Sequence, residues 1–154
     1  MGLDMYLHAK RYESNYNFQI EKHGENETFH TILTAVGGYV TPESPAVEVV
    51  ATIGYWRKVN AIHNWFVNEL AGGRDECQPI YVGRENLITL RDLCSEVLKD
   101  HSKAEALLPT GAGFFFGGTE YDEWYFGGLQ DTIAQINKAL ELPKEWSFEY
   151  QASW

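Results

Sequence analysis

The chain has 154 residues, with 12 Lys+Arg against 22 Asp+Glu, a formal net charge of −10, and 44% hydrophobic and 14% aromatic content. That balance excludes a disordered tail and predicts one globular domain over 1–154 that buries roughly two-thirds of its unfolded surface. No apolar run nears the roughly 20 residues that span a bilayer, and Met1–Arg11 lacks the basic and apolar regions of a secretory signal, so a cytoplasmic protein is expected. The acidity argues against direct binding of nucleic acid on a broad basic surface, because phosphate contacts dominate that affinity. A small anion in a local pocket stays open.

Leu3, Met5 and Leu7 alternate with Asp4, Tyr6 and His8, which predicts a first strand with one buried face. Tyr16–Lys22 and Phe29–Val36 are rich in β-branched and aromatic residues around the turn His23-Gly24-Glu25-Asn26, and read as a hairpin. Gly37–Pro45 carries two glycines and two prolines and is expected to be a loop. Tyr55, Val59, Ile62, Phe66 and Leu70 fall at helical spacing, predicting a helix over Tyr55–Leu70 that Ala71-Gly72-Gly73 ends. Gln78–Val82 is a short strand candidate. A second helix follows Gly83, with Leu87, Leu90, Leu93/Cys94 and Val97/Leu98 as its apolar stripe. A third runs from Tyr121 to Leu140, with Thr119 and Asp122 read as a capping box. Trp146, Phe148 and Tyr150 alternate with polar residues as a last strand. The fold class expected is α+β, an antiparallel sheet packed against about three helices.

Three segments could carry chemistry. On a helix, Trp56, Asn60, His63 and Val67 would share one face, combining a stacking ring with an amide and an imidazole. Arg57 and Lys58 would add positive charge beside it. The competing structural role is a half-buried helix whose polar ends are satisfied internally. The run Thr110–Thr119 is glycine-rich and precedes a helix, where Gly117, Gly118 and Thr119 could present backbone donors to an anion. It is neither a Walker A loop nor a Rossmann fingerprint, and a buried Phe-rich strand is the plainer alternative. In the third segment, Asp122 and Glu123 suit a helix start electrostatically without any chemistry. Gly127-Gly128 inside that helix cost helix stability, so a close backbone or ligand approach is expected there, or else a helix break.

Five histidines (His8, His23, His30, His63 and His101) show no metal-binding spacing, and Cys77 and Cys94 form no CxxC pair. No metal, cofactor or catalytic residue is therefore assigned. Together, Met1–Leu7, Tyr55-Trp56-Arg57-Lys58 through Phe66, Leu108-Pro109-Thr110 through Gly117, and Tyr121–Tyr125 resemble a group of small, mostly uncharacterised bacteriophage- and prophage-encoded proteins. The resemblance implies a phage-type accessory protein in the host cytosol, for which countering host defence is a suitable role.

The favoured reading is a non-enzymatic binder of a small anionic, nucleotide-like ligand, such as a sequestered host immune signal. Trp56 would stack the base, Asn60 and His63 would read its edge, and Arg57, Lys58, Gly117, Gly118 and Thr119 would hold its phosphate. Two alternatives remain open. One is an acidic inhibitor of a host nuclease or defence protein, for which the negative charge would imitate phosphates. The other is a nucleotide-degrading hydrolase using His63 with Asp4, Asp122 or Glu123. The expectation leans away from an enzyme, and a homo-oligomer is among the partners considered.

Overall fold

The α+β expectation holds. In the computed structural model, which describes residues 2–154, four strands form an antiparallel sheet in the order β2-β1-β4-β3. The strands are β1 (Asp4–Ser14), β2 (Ala46–Arg57), β3 (Ile80–Val82) and β4 (Ser147–Ser153). The helices are α1 (Asn17–His23), α2 (Glu27–Ala35), α3 (Asn60–Trp65), α4 (Arg84–Lys99), α5 (Ala104–Leu107) and α6 (Glu123–Leu140). A π-helical turn, Phe66–Leu70, continues α3.

The chain divides into two compact units, one built from residues up to Ala9 with Ala51–Trp154, the other from Lys10–Val50. In the larger unit, period-2 alternation puts Met5, Leu7 and Ala9 of β1 on the same buried face as Phe148, Tyr150 and Ala152 of β4. Ile80 pairs with Tyr150 and Val82 with Phe148, which fixes β3 in register. The stripe Leu87, Leu90, Cys94 and Val97 of α4 and the stripe Leu129, Ile136 and Ala139 of α6 join the same core. Phe66 lies on the Tyr150 ring at 4.0 Å and 13°, locking the π-helical turn to β4.

α6 also covers part of the edge strand β2. The Gln135 side chain accepts from the Tyr55 N–H and donates to the Tyr55 carbonyl at 3.0 Å, pairing that residue's backbone as a neighbouring strand would. One residue on, the Trp56 indole N–H donates to Thr132 Oγ1 at 2.9 Å.

In the smaller unit the expected hairpin is replaced by α1 and α2. Capping decides it. Gln19 Oε1 accepts from the Tyr16 N–H at 3.0 Å, and Asn26 Oδ1 accepts from the Phe29 N–H at 3.0 Å, so each helix start has its own side-chain partner. Asn26 Nδ2 also donates to Glu13 Oε2 at 2.8 Å. These local bonds outweigh a β-propensity that depends on a packed neighbour.

The helix expected from Tyr55 starts five residues later, at Asn60, because Tyr55–Arg57 complete β2. The β-branched run Val47–Ile53 supplies that strand. Asp122, not Thr119, caps α6, accepting from the N–H groups of Trp124 and Tyr125 at 3.1 Å. Phe114–Phe116 form a turn instead of a buried strand, with Phe114 fully in solvent. Among the described residues no helix is long and apolar enough to cross a membrane.

Candidate functional site

β2 ends at Arg57, and the chain must then turn sharply to begin α3. Lys58 makes the turn with φ of 57°, in the left-handed region that disfavours a side chain. Its N–H donates to the Leu3 carbonyl at 2.8 Å, holding the corner against β1. A Cβ on Gly117 would lie 3.1 Å from the Lys58 Cβ, so the glycine-rich loop packs directly on this corner. The segment around Asn60 and the Gly117–Thr119 turn are therefore adjacent in space.

Asn60 ties them together. Its Nδ2 donates to the carbonyls of Phe116 and Gly118 at 3.1 and 2.8 Å, and its Oδ1 accepts from the Gly111 N–H at 3.1 Å. With its donors and acceptor all used and its side chain buried, Asn60 positions the loop and is not free to read a base edge.

Corner, loop and α6 enclose a cleft of about 920 Å³. Arg57, Lys58, Gly117 and Gly118 line it, together with Trp124, Gly127 and Asp131 of α6. Trp124, Gly127, Gly128 and Asp131 recur at i, i+3, i+4 and i+7, the spacing of one helix face. The two glycines differ. A Cβ on Gly128 would stand 2.7 Å from Val59 Cγ1, so this glycine admits α3's approach, while a Cβ on Gly127 would meet nothing within 4 Å.

Arg57 and Lys58 are exposed, and among the described residues neither has a carboxylate within ion-pair distance. Gly2 lies beneath them: a Cβ there would be 3.2 Å from Lys58 Cε and 3.6 Å from an Arg57 guanidinium nitrogen. Glu120, Asp122, Glu123 and Asp131 line the cleft too, and among the described residues none of them has an ion-pair partner. Trp124 is 88% exposed and Tyr55 48%, the latter anchored by its O–H to Asp4 Oδ1 at 2.5 Å.

The cleft thus gathers Arg57, Lys58, Gly117 and Gly118, but changes the roles of the other expected residues. Trp56 is only 2% exposed and its indole is bonded to Thr132, so it backs the wall and offers no free face. Thr119 lies outside the lining, its carbonyl accepting from Thr110 Oγ1 at 2.9 Å. His63 is 1% exposed and points into the core, where Nδ1 meets the Tyr150 hydroxyl at 2.7 Å and Nε2 meets Asp75 Oδ2 at 3.0 Å. It therefore reads no ligand edge, and its carboxylate partner is Asp75, not Asp4, Asp122 or Glu123. Burial, reinforced by the Asp75 charge, pushes the Tyr150 phenol well above its ordinary range.

Sequence reasoning missed Tyr55, Trp124 and Asp131 as lining residues. For Trp124 and Asp131 the signal was the glycine pair, since whatever occupies the space beside Gly127 must also touch residues a turn away on the same helix face; Tyr55, on β2, had no such signal. Among the described residues no group of three metal-ligating side chains is present. Comparison with protein-family models, curated proteins and solved structures yields no match.

Proposed function

We propose that the protein binds a small anionic, nucleotide-like ligand in the cleft between the β2–α3 corner and α6, without turning it over. One observation carries the reading. In a chain of net charge −10, Arg57 and Lys58 stand exposed, with no ion-pair partner among the described residues, in the lining of a 920 Å³ cleft that Trp124 also lines. Exposed cations and an open aromatic ring in one cleft suit a ligand that joins an anionic group to a flat ring. The left-handed backbone of Lys58 supports it. A lysine at a position that favours glycine costs stability, and such costs persist where the side chain is needed.

The resemblance to phage-encoded proteins suits a sequestering role, in which the cleft withholds a host nucleotide signal. The test is calorimetric titration with AMP, GMP and their cyclic dinucleotides, on the native protein and on Arg57→Ala/Lys58→Gly. Micromolar binding that weakens at least tenfold in the variant and falls with added salt is the expected result. No heat from any of these ligands on the native protein would overturn the reading.

A further inference from the structure

We infer that the cleft selects a base whose edge carries two N–H donors, as guanine does, with the ring lying on Gly127 and the edge facing Asp131. The inference rests on the nucleotide-binding reading above and names its specificity. Three observations meet on α6. First, glycine weakens a helix interior, and a Cβ at Gly127 would meet nothing, so the chain's own packing does not require glycine there. Gly128, by contrast, is required by Val59. A bare Cα on a cleft wall lets a flat ring reach van der Waals contact, and a methyl group would lift that ring away.

Second, Trp124 stands one turn before Gly127 and is exposed along its length, so a ring over Gly127 has an aromatic neighbour. Third, Asp131 stands one turn after Gly127, about 6 Å along the axis, and has no ion-pair partner among the described residues. An ionised carboxylate only accepts hydrogen bonds. Guanine presents N1–H and an N2 amino group side by side, which two carboxylate oxygens can accept together. Adenine presents a lone pair at N1 that the carboxylate repels. The phosphate is then left to Arg57 and Lys58, which line the same cleft.

The experiment measures the affinities of GMP, AMP and ribose 5-phosphate for the native protein, Gly127→Ala and Asp131→Asn. The native protein is expected to bind GMP about tenfold more tightly than AMP, the discrimination typical of one bidentate contact. Asp131→Asn should bring the two within about threefold. Gly127→Ala should melt at a higher temperature than the native protein yet bind GMP about tenfold less tightly. Equal affinities for GMP and AMP, or a preference unchanged in Asp131→Asn, would overturn the inference while leaving the anion-binding reading intact. If none of the three compounds binds the native protein, both fall together.

Discussion

Asn60 and Gly118 are joined by a 2.8 Å hydrogen bond from a buried side-chain amide to a loop carbonyl, and this bond sets one end of the cleft. The same amide reaches Phe116 and Gly111, so one residue at the start of α3 fixes three points of a loop that has no regular structure of its own.

Asn60→Ala should therefore destabilise the protein by about 1–2 kcal/mol, since it removes the three hydrogen bonds that hold a partly solvated loop. Asn60→Asp should not rescue it, because a carboxylate cannot donate to the carbonyls of Phe116 and Gly118. Denaturant titration measures both; full stability in the Asp variant would show that the loop is held by something else.

The adjacent glycines of α6 should respond in opposite directions to the same change. Gly127→Ala should stabilise by about 0.5–1 kcal/mol, the ordinary helix preference for alanine. Gly128→Ala should destabilise by about 1–3 kcal/mol, because its methyl would stand 2.7 Å from Val59 Cγ1. Removing that clash with Val59→Ala should recover part of the loss in a double variant. Thermal melts of the four proteins would show equal effects at both glycines if the close approach of α3 were unimportant.

Lys58→Gly should raise stability by about 1 kcal/mol, by relieving the left-handed backbone of a residue with a Cβ. Lys58→Ala removes the same charge but keeps the unfavourable conformation, so it should show no such gain. A melt in which the two variants coincide would mean that the corner is not strained.

Alkaline pH should weaken the fold. Burial pushes the Cys94 thiol from 9.0 up to about 12, so the folded chain holds that proton more tightly than the unfolded chain does. The associated stability is intact below pH 9 and is lost as pH rises from 9 towards 12. Tyr125 and Tyr150, also raised by burial, act with the same sign from pH 10.0 upward. Cys94→Ala should be less stable at neutral pH by about 1 kcal/mol for its lost volume, yet should fall less steeply across the alkaline window. An unchanged slope in denaturation curves would remove Cys94 from the account.

How much of this was legible beforehand follows the range of the forces involved. The stripes of α4 and α6 and the alternation of β1 and β4 repeat over many residues, and periodicity alone located them. β2 was lost to Tyr55, Val59 and Ile62, which mimic a helical stripe although a strand-to-helix corner at Lys58 divides them. The helices α1 and α2 depend on single caps, Gln19 and Asn26, which are easily outweighed on paper by β-branched neighbours. At the site, Arg57, Lys58 and Gly117 were legible as residue types. His63 and Trp56 were not legible as buried, because their partners Asp75, Tyr150 and Thr132 come from 12 to 87 positions away. Trp124 and Asp131 needed the glycine pair to be read as one wall of a cleft.

The most direct test of ligand binding is native mass spectrometry after exposure to a cell-derived small-molecule extract, with the native protein and Arg57→Ala/Lys58→Gly treated alike. The account predicts a mass excess on the native protein that denaturation releases as a phosphorylated compound, and its loss from the variant. A clean, ligand-free mass for both proteins, or the same adduct on both, would contradict the claim that Arg57 and Lys58 hold a ligand in this cleft.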